Sequence, residues 1–206
     1  MDQEEPMDYT VVEENKKSRN KSCLQYRGLA IIAIFEKFHR QLKVNDLNFE
    51  PDKKLLVEAF KKLQYEVKVW DDIMESETFF QRLQLVSKDP LHRECETFAL
   101  VILSHGGENG IIYAYEKDFS RQKVIDIFNA ENCTALKNKL KLFIFQACCG
   151  NKPGEFASGS PEAVPPIVKL EKYVEKDNLI LCSTREGFMH TRLIIGKLRY
   201  HLQALA

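Results

Sequence analysis

The chain has 206 residues, 44% of them hydrophobic and 29% charged, which is enough apolar material for one core in one domain. Thirty Lys and Arg balance thirty Asp and Glu, so a nucleic-acid partner held by bulk positive charge is not expected. No apolar run approaches the roughly 18 residues needed to span a bilayer, and no membrane partner is expected. The opening Met1-Asp2-Gln3-Glu4-Glu5-Pro6 is acidic and lacks the apolar stretch of a secretory signal. A cytoplasmic location is therefore expected, with Cys23, Cys95, Cys133, Cys148, Cys149 and Cys182 reduced. Cys-x-x-Cys is absent, which argues against a zinc ribbon or a thioredoxin-type site.

In chain order, residues 1–24 are polar, charged and without periodicity, and are read as a mobile leader. Leu29–Phe35 is a continuous apolar run, the pattern of a strand covered on both faces. Asp52–Leu63 follows Pro51 and places Leu55, Leu56, Ala59, Phe60 and Leu63 at helical spacing, with Lys on the wet face. Tyr65–Trp70 alternates like a strand, and Thr78–Val86 reads as a second helix through Phe79, Phe80, Leu83 and Val86. Phe98–Leu103 is a third strand, ending in Ser104-His105-Gly106-Gly107. Gly110–Tyr115 reads as a hairpin arm, and Ser120 as the cap of a helix through Val124, Ile127 and Phe128. Leu140–Phe145 is a fourth strand, ending in Gln146-Ala147-Cys148-Cys149-Gly150. Residues 151–176 hold Pro153, Pro161, Pro165 and Pro166 and read as a linker. Leu179–Cys182 is a further strand, and Lys197–Ala206 reads as a helix. Apolar strands alternating with amphipathic helices imply an α/β fold, a mostly parallel sheet flanked by helices on both faces.

Sites in such sheets form beyond the carboxyl ends of the strands. His105 and Cys148 each lie just past an apolar strand and near Gly. A Cys/His pair placed there has a direct chemistry: the imidazole moves a proton and the thiolate attacks a carbonyl. His39, His92, His190 and His201 lack this context and are read as surface residues, and Cys23, Cys95, Cys133 and Cys182 as buried small apolar groups.

Gln146-Ala147-Cys148-Cys149-Gly150 resembles the nucleophile motif of the caspases, Gln-Ala-Cys-[Arg/Gln/Gly]-Gly, whose His lies about 50 residues upstream. Ser104-His105-Gly106 is similar to that family's catalytic His segment. Tyr26-Arg27-Gly28, Leu63–Val67, Gly110–Tyr113, and Ser183-Thr184 followed by Arg192 resemble further parts of it in the same order. The resemblance implies a domain made of a large-subunit-like part at 25–150, an inter-subunit linker at 151–176 and a small-subunit-like segment at 177–206, behind a short prodomain at 1–24. It implies Cys148 as nucleophile, His105 as general acid/base, and the backbone N–H groups of Gly106 and Cys148 as an oxyanion hole. Gln146 and Arg192 would line the pocket for an acidic substrate side chain. A guanidinium suits that task because its planar fork donates two parallel hydrogen bonds to a carboxylate. The implied function is a cysteine endopeptidase cleaving proteins or peptides after Asp, in apoptosis or a related cascade, with no metal or organic cofactor.

Four departures stand against the family pattern. The pocket's second Arg, expected just before the first amphipathic helix, is replaced by a stretch with Asp46 in its slot, so weakened selectivity for Asp is expected. Cys149 stands where Arg, Gln or Gly is expected: a tolerated substitution, a vicinal redox partner or a metal-scavenging site. The linker contains no Asp at which to be cut. The C-terminal dimerisation strand of the family is missing from the stretch that ends at Ala206. These features define an alternative: a weakly active or inactive homologue that regulates another caspase, or a caspase adaptor, by binding.

Overall fold

The computed structural model describes residues 26–71, 75–147, 170–171 and 177–182. In chain order these form β1 (Gly28–Ile34), α1 (Glu50–Lys62), β2 (Tyr65–Trp70), α2 (Ser76–Ser87), β3 (Thr97–Leu103), β4 (Ile111–Tyr113), β5 (Asp118–Ser120), α3 (Arg121–Ile127), β6 (Leu140–Gln146), β7 (Leu170–Glu171) and β8 (Asn178–Cys182). One sheet runs β2-β1-β3-β6-β8-β7, and β4 with β5 makes a separate antiparallel pair. Every pairing in the large sheet is parallel except that of β7 with β8. The expected mostly parallel α/β sheet is present, and the stretch read as linker contributes the short edge strand β7. The leader read at 1–24 and the helix read at Lys197–Ala206 lie outside the described residues.

The strands are apolar throughout because both faces of the sheet are covered. All seven residues of β1 and all seven of β3 are buried. Their period of two divides them. Leu29, Ile31 and Ala33 with Phe98, Leu100 and Ile102 meet Phe79, Phe80 and Leu83 of α2 and Val124 and Ile125 of α3. Ala30, Ile32 and Ile34 with Ala99, Val101 and Leu103 meet Leu56 and Phe60 of α1. Helix α1 opens with Pro51 and the acids Glu50 and Asp52 and closes with Lys61 and Lys62, charges that suit the two ends of its dipole. Leu55, expected on its apolar face, is instead 43% exposed. Neighbouring helix residues point about 100° apart, and the line Leu56–Phe60 takes the core side.

Helix α2 receives its N-terminal partner from a distant loop. Glu116 accepts hydrogen bonds from Ser76 Oγ at 2.8 Å and from Ser76 N at 3.1 Å. At its other end the chain enters a 3₁₀ turn, Pro90–Arg93, capped by Asp89. That turn corrects the reading of His92 as a surface residue. His92 is 0% exposed, its Nε2 lies 2.8 Å from the Val86 carbonyl, and its ring meets the Phe98 ring edge-on at 5.4 Å. The short turn folds the ring under α2, where sequence periodicity has no reach.

The chain runs from β1 outward to β2 and then returns to β3 on the other side of β1. Strand order therefore reverses between β1 and β3. Beyond the carboxyl ends of two such strands, the outgoing loops part and leave a crevice for a ligand.

Candidate active site

His105 emerges from the carboxyl end of β3. Leu103 is in register with Gln146 of β6, and Ser104 N donates to the Gln146 carbonyl at 3.1 Å. His105 thus stands two residues beyond one member of a matched pair, and Cys148 follows two residues beyond the other in the chain. Beneath His105, the buried Ser104 donates from Oγ to the Tyr113 carbonyl at 2.6 Å. Tyr113 N donates to His105 O and Gly107 N to Ile111 O, both at 3.0 Å, so Gly106 faces Ile112 in an antiparallel bridge. In this wide pairing the bonds belong to the flanking residues, and the Gly106 N–H points away from β4. It makes no hydrogen bond among the described residues.

The turn that returns the chain to β4 carries two left-handed residues, Asn109 (φ 57°) and Gly110 (φ 72°). Asn-Gly is the dipeptide that best tolerates this backbone. A Cβ on Gly110 would also stand 2.6 Å from Arg121 Nε, so the Arg121 stem lies across the glycine. Arg121 is buried, and its Nη1 donates to Cys182 Sγ at 3.0 Å, tying the start of α3 to the end of β8. Sequence reading passed over Arg121 because it stands at a helix start, where a cation is ordinarily solvated.

The imidazole of His105 is set by the loop that leaves β1. Its Nε2 lies 2.7 Å from the Asn45 carbonyl oxygen. A carbonyl only accepts, so Nε2 carries the hydrogen and Nδ1 of the neutral ring carries the lone pair. The Phe38 ring lies 4.9 Å from the imidazole, centroid to centroid. The Asn45 carbonyl was missed by sequence reading. A backbone oxygen has no residue signature, and its position follows from loop geometry.

Of the other expected site residues, Gln146 ends β6 and is 3% exposed. Cys148, Cys149 and Arg192 lie outside the described residues. Cys95, Cys133 and Cys182 are buried, as the sequence reading has them. Burial pushes the Cys133 thiol above its usual range, and Cys133 donates to the Ser87 carbonyl at 3.0 Å. A thiol held protonated in this way is a poor nucleophile. Among the described residues, no group of three or more His, Cys, Asp and Glu side chains gathers to hold a metal ion, and no helix is long and apolar enough to cross a membrane.

Asp46 is not a bare charge. Its Oδ2 pairs with Lys37 Nζ at 2.9 Å, and its Oδ1 accepts from Phe38 N at 3.2 Å. The Lys37 ammonium and then the Phe38 N–H hold its carboxyl below the usual carboxylate range.

Comparison with known proteins bears on the same residues. A family model described as the caspase domain matches residues 27–197. Caspase-6 of Gallus gallus is 33% identical over 129 residues, covering 62% of this chain and 41% of that protein. Caspase-3 of Oryctolagus cuniculus is 33% identical over 169 residues, covering 80% of this chain and 59% of that protein. Caspase-3 of Mus musculus is 32% identical over 169 residues, with the same coverage. The chain thus spans between 41% and 59% of the length of these relatives. With the domain match running through β1, the His105 segment, the Cys148 motif and β8, the chain belongs to the caspase family.

Proposed function

We propose that this protein is a cysteine endopeptidase that cleaves peptide bonds after an acidic residue, Asp first, within apoptosis or a related proteolytic cascade. One observation carries the reading most directly. The Asn45 carbonyl holds His105 Nε2–H at 2.7 Å, which leaves the lone pair on Nδ1, at the carboxyl end of the strand beside the one that leads into Cys148. Oriented base and adjacent nucleophile are what thiol catalysis needs.

In the proposed reaction, Nδ1 of His105 takes the proton of the Cys148 thiol. The thiolate attacks the scissile carbonyl, a C–S bond forms, and the carbonyl π electrons move to oxygen. The Gly106 N–H, unspent in the sheet, donates to that oxyanion together with the N–H of Cys148. Collapse breaks the C–N bond, and imidazolium returns its proton to the departing amine. Water, deprotonated by the same imidazole, then hydrolyses the thioester and restores the thiol. Gln146 and Arg192 bind the acidic side chain of the substrate.

A second reading, a weakly active homologue that regulates another caspase or an adaptor by binding, is favoured by Asp46 in the slot of a pocket Arg. Labelling with an acyloxymethyl-ketone peptide bearing Asp, in wild type and in Cys148→Ala, separates the two. Stoichiometric labelling lost in the variant supports the peptidase. An unlabelled wild type that still co-elutes with a full-length caspase supports the regulator.

A further inference from the structure

The loop between β1 and α1 is drawn shut at its neck. Leu47 N donates to the Glu36 carbonyl at 2.9 Å, and Phe49 N donates to Glu36 Oε1 at 2.6 Å. Phe38 N donates to Asp46 Oδ1 at 3.2 Å, and Lys37 Nζ pairs with Asp46 Oδ2 at 2.9 Å. Phe38 is buried, and Leu42, Val44 and Leu47 pack on the core. Segments closed at the base and filled by their own side chains behave as compact units.

Two members of this loop touch the imidazole, and Asp46 holds both. The Asn45 carbonyl that accepts from His105 Nε2 belongs to the peptide unit ending at Asp46 N, so displacing the Asp46 backbone displaces that oxygen. The Phe38 ring against His105 hangs from the residue whose N–H donates to Asp46 Oδ1. We infer that Asp46 is a positioning residue for His105: its carboxylate spans the loop from Asn45 to Phe38 and so keeps the imidazole between the Asn45 carbonyl and the Phe38 ring. The residue in the slot of a pocket cation thereby serves the base instead of the substrate side chain. This inference rests on the peptidase reading for its kinetic consequence, but its geometric part does not.

The two accounts of Asp46 predict opposite signs. If Asp46 only repelled an acidic substrate side chain, Asp46→Ala would raise kcat/KM for an Asp peptide. As a positioning residue its loss lowers kcat roughly 10- to 100-fold, the range expected when a catalytic group is misplaced by up to about 1 Å, with a far smaller change in KM. Asp46→Asn keeps an oxygen for the Phe38 N–H and recovers most of the loss. Lys37→Met removes only an exposed partner, and such pairs contribute little, so its kcat stays within about twofold of wild type.

The decisive measurement uses ¹⁵N-histidine labelling of the full chain, reading the His105 ring nitrogens by NMR across pH in wild type, Asp46→Ala and Asp46→Asn, with peptide kinetics alongside. Expected is an Nε2–H tautomer in wild type and Asp46→Asn, and a mixture of tautomers in Asp46→Ala at unchanged melting temperature. An Asp46→Ala protein that keeps the wild-type tautomer and kcat overturns the inference, as does a gain in kcat/KM. A wild type that shows the tautomer switch on Asp46→Ala but turns over no peptide sinks the peptidase reading and leaves the positioning role standing.

Discussion

His105 and His92 stand at opposite ends of β3, and each sets Nε2 against a backbone carbonyl, at 2.7 Å to Asn45 and 2.8 Å to Val86. What separates them is burial. His105 is half-buried at the carboxyl end of the sheet, where strand order reverses. His92 is sealed beneath α2, and its Nδ1 is buried with no hydrogen-bond partner. One carbonyl contact can thus hold a half-buried ring at the edge of a sheet or lock a ring into a core. Burial of the whole ring decides which.

Exchanging each histidine for Gln tests this division most severely. His105→Gln removes the proposed proton carrier, and kcat/KM for an Asp peptide should fall about 10²- to 10⁴-fold at an unchanged melting temperature. His92→Gln should do the reverse, lowering stability by about 1–3 kcal/mol through lost packing and a disturbed buried hydrogen bond, with kcat near wild type. Paired peptide kinetics and urea melts on the two variants give the answer. If His92→Gln abolishes turnover in a folded protein, the two ends of β3 are coupled and the comparison fails.

The glycines at the two ends sharpen it. A Cβ on Gly28 would stand 2.2 Å from the Thr97 carbonyl oxygen, and Gly28 is in register with Thr97. Backbone faces backbone there, so Gly28→Ala must spread β1 from β3 at their amino ends and should cost about 1–3 kcal/mol in urea denaturation. Gly110→Ala adds a left-handed backbone to a contact with the stem of Arg121, a buried side chain held by Cys182 Sγ. Its loss, about 1–3 kcal/mol, should come with a larger drop in turnover than that of Gly28→Ala, since the turn presents Gly106.

Sequence and structure part company along the same line. Strands β1, β2, β3, β6 and β8, the three helices and the place of His105 just past β3 were legible because apolar periodicity records them directly, whereas the short β5 and β7 carry too few residues to show a period. Leu55 and His92 were misread. Periodicity blurs at the flank of a helix stripe, and no pattern marks a ring folded under α2 by a 3₁₀ turn. Asn45 was invisible because its contribution is a backbone oxygen. Asp46 was read as a charge against the substrate, whereas its oxygens lie on Lys37 and Phe38, contacts between residues eight and nine apart in a loop. Local pattern reports burial; it does not report where a loop folds back on itself.

The smallest effect expected is the pH dependence of stability from His92. Burial first, opposed by the hydrogen bond to Val86 and by Asp89, depresses its pKa below the ordinary 6.5; Lys139 and Lys68 push the same way as burial. A depressed histidine pKa means that the unfolded chain binds the proton more readily than the folded one. His92 therefore contributes no pH dependence well above 6.5, where the ring is neutral in both states. As pH falls below 6.5 the unfolded state gains the proton first, and stability declines by at most about 1.4 kcal/mol per pH unit for one group. The loss continues until the folded-state pKa is reached, because a proton on Nδ1 there finds no acceptor. Urea midpoints taken between pH 7.5 and 5.5 should fall in wild type and fall less steeply in His92→Gln. An equal slope in wild type and His92→Gln would place the acid sensitivity elsewhere and remove the thermodynamic half of the contrast between the two histidines.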